Sequence, residues 1–321
     1  MATLQPQLLS DSQATRPFEI AGPKGWKRRL EDPFNTYYRY PVALAMTRVL
    51  VHTPVTPNQI SLLQPVFAAG AGWAVTHSDW RYHVLAVALF EIRSILDCVD
   101  GSLARAKKMS SPNGHAIDAA ADWLGVVFLY IGIFHFLYHH TPAGVSTLMA
   151  MGVTSLALLQ GAVRSMASDH YKNKYIGIFE RKRDDTPVTL RDKLLAIRRG
   201  GAPLFTYVDV FILWNSHLMF EGERFNVDRS KPLSEKSIEH MSKNESSLRT
   251  KLIGFVWSIS SGDAFLSFVV LSILIGQVWH AQVFFATLGT LWIAGFVFYN
   301  VLFLNSQRRV DADAERAIAE A

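Results

Sequence analysis

The sequence predicts an all-α integral membrane protein with six transmembrane helices and an N-terminal amphipathic helix lying in the membrane interface. Half of the 321 residues are apolar, and they are concentrated rather than spread. Windows near the roughly 20 residues needed to cross the hydrocarbon core occur at 59–77, 83–99, 115–138, 143–166, 252–275 and 279–304. Lys and Arg keep to alternate connections. Residues 1–57 hold seven, 164–251 hold seventeen, and the connection after the second window holds Arg105, Lys107 and Lys108. By contrast, 139–143 and 276–280 hold none, and the stretch around Trp80 holds only Arg81. By the positive-inside rule both termini and the basic connections face the cytoplasm. The net charge of +5 therefore reads as topology and attraction to anionic lipid, with no nucleic-acid partner.

Residues 1–32 form a polar N-terminal tail without the succession of a cleavable signal, so insertion is expected to rely on the first window. Lys24–Arg29 followed by Pro33–Val51, rich in Tyr, Val, Leu and Met, suggests a helix in the cytoplasmic interface; 33–57 are assigned to it and its cap. A helix packed on the protein's cytosolic side is the plainer reading. Thr56, Pro57 and Gln59 have the spacing of a capping box with Pro in the first helical position, which starts the first span. The membrane domain is expected over 58–307, with a cytoplasmic insertion at 167–251 and a polar tail at 308–321. Trp73, Trp80, Trp279 and Trp292 suit the membrane interface or packing. Cys98 is the single cysteine, which excludes intrachain disulfides and thiolate-rich zinc sites.

The informative run lies at the inner ends of the second and third windows: D-C-V-D-G-S-L-A-R from Asp97, eight residues, then G-H-A-I-D-A-A-A-D to Asp122. Asp97 and Asp100 share a helical face, as do Asp118 and Asp122, and the polar stretch 102–113 is expected to turn the chain back so that the pairs converge. Four carboxylates at a membrane edge repel one another unless a cation neutralises them. An all-oxygen set selects Mg²⁺ or Mn²⁺ over zinc. Gly101, Ala104 and Gly114 leave room for a flat group, and Arg105 supplies a planar charged fork for phosphate oxygens. A nucleoside diphosphate fits the whole set.

This run resembles the signature of the CDP-alcohol phosphatidyltransferases, D-x2-D-G-x2-A-R-x8-G-x3-D-x3-D, at every fixed position and in both spacings. The resemblance implies a homodimeric six-span enzyme that displaces CMP from a CDP-linked donor by an acceptor hydroxyl. By position, Asp97, Asp100 and Asp118 would be metal ligands, and Asp122 a further ligand and the general base. Two ions, Mg²⁺ or Mn²⁺, would be bridged by the donor diphosphate. Asp97, Asp100, Gly101, Ala104, Arg105 and Gly114 would hold the CDP moiety, with Asn58 of the T-P-N tract as a further contact or simply part of a helix start. The tight resemblance covers about 26 residues, from Asp97 to Asp122.

Beyond the motif, Arg164 and Asp263 fall at depths that suit acceptor binding, Arg164 equally suiting membrane-edge snorkelling. Arg93, four residues before Asp97, is expected to pair with Asp97 or Glu91. The apolar run Pro203–Phe220 within the insertion reads as an interfacial or re-entrant helix, the plainer reading of the insertion being a solvated linker. The favoured function is a phospholipid synthase working on a CDP-linked donor and an acceptor of which at least one is a lipid. The same chemistry on a soluble or phosphorylated polyol is the alternative, and a divalent-cation transporter explains the carboxylates but not the Gly, Ala and Arg positions. The layout suits a bacterial inner membrane, with the endoplasmic reticulum as the other location and the active site facing the cytoplasm.

Overall fold

The structure, a computed structural model, describes residues 22–109, 112–200, 202, 204–221 and 232–319. Among the described residues every regular element is helical. A short helix, α1 (Gly25–Arg29), precedes a π-helical turn (Asn35–Arg39) that runs into α2 (Tyr40–Leu50). Next come α3 (Pro57–Val75), α4 (Trp80–Lys107), α5 (Pro112–His139) and α6 (Thr147–Ile176) with a terminal π turn (Gly177–Arg181). The remainder comprises α7 (Thr186–Arg199), α8 (Leu204–Phe220), α9 (Glu235–Lys243), α10 (Leu248–Ile259), α11 (Gly262–Leu274), α12 (Val278–Phe284) and, after a third π turn (Phe285–Gly289), α13 (Thr290–Ala319).

All six apolar windows fall on helices, but among the described residues only three stretches are long and apolar enough to cross a membrane: Ile117–His139, Thr147–Arg181 and Val278–Ser306. The fifth window is not one helix. Ser260 N–H donates to the Trp257 carbonyl and ends α10, and Ser261 then caps α11 through Ala264 N–H at 3.0 Å. The two halves meet at 50° and make a fourth crossing only if taken together. Charge accounts for the second window's shortfall, since α4 carries Arg81, Glu91, Arg93, Asp97, Asp100, Arg105 and Lys107. Polar residues, among them Asn58, Gln59, Ser61 and Gln64, thin out the apolar character of α3.

The T-P-N-Q start of α3 is built as its spacing predicts: Thr56 N–H donates to Gln59 Oε1 at 2.9 Å, and Gln59 N–H returns to Thr56 Oγ1 at 3.4 Å. Lys107 Nζ donates to the carbonyls of Thr53 and Val55 at 2.6 and 2.7 Å, pinning this start beside the end of α4. Lower down, α3 packs on α5 with almost no space between backbones. A Cβ on Gly72 would strike the Phe128 carbonyl, and one on Gly132 would strike the Gly72 carbonyl, so both positions require glycine.

An apolar core between α3, α4, α5, α6, α11 and α12 is centred on Phe90, Tyr130, Ile133, Phe265, Val269 and Phe285. A second core gathers Trp26, Tyr171, Tyr175, Phe220 and Trp257 around the inner half of α6. It exists because α6 continues well past the apolar window ending at 166, and the insertion folds onto that continuation. The linker reading of 167–251 therefore fails for its described residues. Lys174 Nζ, buried, donates to Glu221 Oε1 at 2.7 Å and Asp184 Oδ2 at 3.2 Å, and His170 Nε2 lies 2.8 Å from the same Glu221 oxygen. Tyr171 Oη donates to the Phe220 carbonyl at 2.7 Å.

The N-terminal helix has two faces. Asn35, Arg39, Ala43 and Thr47, spaced by four, are buried. Phe34, Tyr37, Tyr38, Val42, Met46 and Val49 are exposed. Arg39 ties it down with a bidentate pair to Glu91 at 2.5 and 3.0 Å, plus hydrogen bonds to Asn35 Oδ1 and Ser267 Oγ.

Candidate active site

The aspartate cluster lies where α4 and α5 approach their shared turn. α4 runs on to Lys107, so the turn is shorter than the 102–113 expected from composition. Ala104 and Arg105 are in its last turns, and Gly114 is in the first turn of α5. Lys108 closes α4 in the left-handed region at φ 54°, with Met109 N–H on the Ala104 carbonyl at 2.9 Å; residues 110 and 111 lie outside the described residues.

This reversal brings one carboxylate oxygen each from Asp97, Asp100 and Asp118 within 4.8 Å of one another. Asp100 is buried, and its Oδ2 accepts from Ser61 Oγ at 2.6 Å and Gln64 Nε2 at 2.7 Å. Sequence reasoning did not find Ser61 and Gln64. Their only signal is two polar residues three apart beyond the polar first turn of α3, and their target becomes visible once α3 lies against α4.

Asp122 is not part of the three-carboxylate group. Its Oδ1 accepts from Arg93 Nη2, so Arg93 reaches across to α5 instead of pairing along its own helix, and Glu91 is taken by Arg39. The Arg93 side chain is buried while that of Asp122 is half-exposed. Gly125, one turn beyond Asp122, makes the crossing feasible: a Cβ there would lie 3.0 Å from Arg93 Nε.

On the nucleotide side, Gly101 and Gly114 are partly exposed and Arg105 is exposed. A Cβ on Gly101 would meet only Arg105 Nη1, at 3.5 Å, which leaves open space beside the guanidinium. Arg105 Nη2 also donates to Ser102 Oγ at 3.1 Å. Asn58 is partly exposed in the first turn of α3.

The two acceptor candidates part company. Asp263, at the start of α11, accepts from Asn35 Nδ2 at 2.8 Å and lies within electrostatic reach of Asp97 and Asp122. Arg164 meets Phe265, Phe285 and Gly289. It is buried with its guanidinium 5.6 Å from the Phe285 ring and 6.0 Å from that of Phe265, and its Nη2 donates to the Gly289 carbonyl at 3.4 Å. Beside Asp263, Asp32 is buried with Oδ1 accepting from Phe34 N–H at 3.0 Å; burial, reinforced by the charge of Asp263, pushes its carboxyl up to about 6.

Residues 54–191 match the family model described as CDP-alcohol phosphatidyltransferase. Over 140 residues the chain is 32% identical to the ceramide phosphoethanolamine synthase of Drosophila melanogaster, a stretch that covers 40% of this chain and 36% of that protein. Over 73 residues it is 41% identical to the bifunctional IPC transferase and DIPP synthase of Rubrobacter xylanophilus, covering 23% of this chain and 16% of that protein. The chain thus spans well under half the length of the curated relatives it matches.

Proposed function

We propose, from the match of residues 54–191 to the CDP-alcohol phosphatidyltransferase family model, that the protein is a membrane phosphotransferase of lipid synthesis. It moves a phospho-alcohol group, phosphatidyl or phosphoaminoalcohol, from a CDP-linked donor to an acceptor hydroxyl and releases CMP. The observation that carries this reading is the approach of Asp97, Asp100 and Asp118 within 4.8 Å beside the open space at Gly101 and Arg105. The likeness to a protein named ceramide phosphoethanolamine synthase favours a phosphoaminoalcohol donor and a lipid hydroxyl acceptor.

The three carboxylates form an all-oxygen set that suits Mg²⁺ or Mn²⁺, and Asp97, Asp100 and Asp118 would hold it. Bound there, the metal would neutralise charge on the phosphate as CMP leaves. Ser61 and Gln64 fix the Asp100 carboxylate in place. Arg105 engages diphosphate oxygens, and Gly101, Ala104 and Gly114 admit the nucleotide against the helix backbones. The acceptor oxygen bonds to phosphorus as the bond from phosphorus to the CMP oxygen breaks. Its proton passes to Asp122, whose Oδ1 is engaged by Arg93 and whose Oδ2 is the atom left for the transfer. A carboxylate suffices as base because the hydroxyl becomes acidic only as its new bond forms. Asp263 borders the acceptor side.

The proposal retains six crossings, with α3, α4 and the α10–α11 pair completing the set. Both termini and the aspartates face the cytoplasm, on the strength of the basic connections. It also retains a homodimer and the domain bounds given above. The test is CMP release by the detergent-purified chain with Mg²⁺ or Mn²⁺, crossing CDP-diacylglycerol, CDP-choline and CDP-ethanolamine with serine, inositol phosphate, glycerol 3-phosphate, diacylglycerol and ceramide. One productive pair, silenced in Asp122→Asn, supports the reading. Absence of both turnover and CDP binding refutes it.

A further inference from the structure

A groove of about 680 Å³ runs between α10 and α13 on the outside of the bundle. Its lining holds one charged residue, Arg249, at the end nearest the basic insertion; Leu252, Val256, Leu291 and Phe296 make most of the rest. Arg249 is held in position rather than loose. Its Nε donates to Tyr299 Oη at 2.5 Å, and its guanidinium lies 5.4 Å from the Tyr299 ring and 4.5 Å from that of Phe303. No carboxylate pairs with it among the described residues, and neither Nη has a hydrogen-bond partner among them. At the far end Trp292 Nε1 donates to Ser260 Oγ at 2.9 Å and closes the groove at the break between α10 and α11. Between the ends the floor is open, because a Cβ on Gly295 would meet nothing within 4 Å.

We propose that this groove binds one phospholipid of the surrounding leaflet, with the lipid phosphate on Arg249 and an acyl chain laid over Gly295 between Leu252 and Phe296. The charge pattern argues for it: a fixed cation with no paired carboxylate among the described residues stands at the headgroup end of an otherwise apolar channel. The nine residues from Leu291 to Tyr299, eight helical steps, supply roughly 12 Å of helix rise for the chain. A second copy of this protein fits less well, since a two-fold contact centred here would set one Arg249 against the other. The site is separate from the aspartate cluster, and the inference does not depend on the proposed chemistry.

The experiment is native mass spectrometry of the full-length chain in detergent, titrated with phosphatidylglycerol, with and without excess inorganic phosphate. The wild-type chain is expected to retain one phospholipid that inorganic phosphate does not displace. Arg249→Gln, which removes a charge-assisted contact, is expected to weaken retention about tenfold. Gly295→Leu, whose Cβ has open space and whose side chain would occupy the floor, is expected to abolish it. Should Gly295→Leu not yield monodisperse protein, Val256→Phe fills the same space from α10. Equal retention in the wild type and all variants overturns the proposal, as does displacement by inorganic phosphate. A loss of dimer in Gly295→Leu or Val256→Phe with lipid retention intact assigns the groove to a second copy and overturns it as well.

Discussion

Arg93 on α4 and Asp122 on α5 form an ion pair whose two members live in different surroundings, the guanidinium buried and the carboxylate half-exposed. The pair crosses between the helices that carry the aspartates and binds the one aspartate that stands outside the three-carboxylate group. Arg93 thus sets the direction of Asp122, whose second oxygen has no hydrogen-bond partner among the described residues.

Under the proposed chemistry, that arrangement would divide labour among the aspartates. Asp122→Asn is expected to lower kcat by about 10²–10⁴-fold, as for loss of a general base, with Mn²⁺-dependent CDP binding close to wild type. Asp100→Asn should lose binding and turnover together. CDP titration with Mn²⁺ checks this, and equal loss of binding in both variants would refute the division.

Ser61 and Gln64 are expected to matter through Asp100 alone. Ser61→Ala or Gln64→Leu removes a donor from that carboxylate, and metal affinity should fall about 10–100-fold, in the range for residues that orient a ligand. Mn²⁺ titration followed by electron paramagnetic resonance reads this without turnover. Unchanged affinity in both variants would show that α3 only packs against the site.

Stability should depend on pH through Asp32. Its carboxyl is raised from 3.8 to about 6 in the folded chain, so the folded state binds the proton more tightly than the unfolded state. The favourable contribution is complete below about pH 4 and is lost as pH rises through about 6, a swing of ~3 kcal/mol. Asp32→Asn keeps an acceptor for Phe34 N–H and removes the buried charge. Its Tm should match wild type near pH 4 and exceed it at pH 8; parallel Tm profiles across that range would rule the effect out.

Lys174→Met should loosen the insertion. It leaves Glu221 and Asp184 buried with their shared cation gone, at a cost of about 3–5 kcal/mol. Limited proteolysis should then cut within 184–233 well before the helices of the first core are touched. A digestion pattern identical to wild type would mean that the aromatic contacts of Tyr171 and Phe220 hold the insertion unaided.

What the sequence revealed and what it concealed divide along the same physical line. Asp97, Asp100 and Asp118 were legible because helical periodicity and one chain reversal suffice to bring them together. The Thr56–Gln59 capping box was legible because all its bonds are local. Arg93 was assigned to a neighbour on its own helix and found one on the next, since the choice among Glu91, Asp97 and Asp122 depends on how α4 and α5 rotate against each other. The break at Ser260 and Ser261 was masked by apolar residues on both sides, although Ser261 followed three residues later by Ala264 is a workable helix start. The insertion read as polar because its apolar residues are directed inward onto a part of α6 that composition had assigned to solvent.

The bare contact between Gly72 and Gly132 has a consequence well beyond the two residues. It lies about two helical turns from Gln64 along α3, with the Asp100 contacts at the far end of that arm, so it behaves as a fulcrum. A methyl group at either glycine would tilt α3 away from α5 and swing Ser61 and Gln64 off a carboxylate that neither glycine touches. The geometry of the Asp100 contacts is thus gauged by the thickness of two hydrogen atoms deep in the bundle.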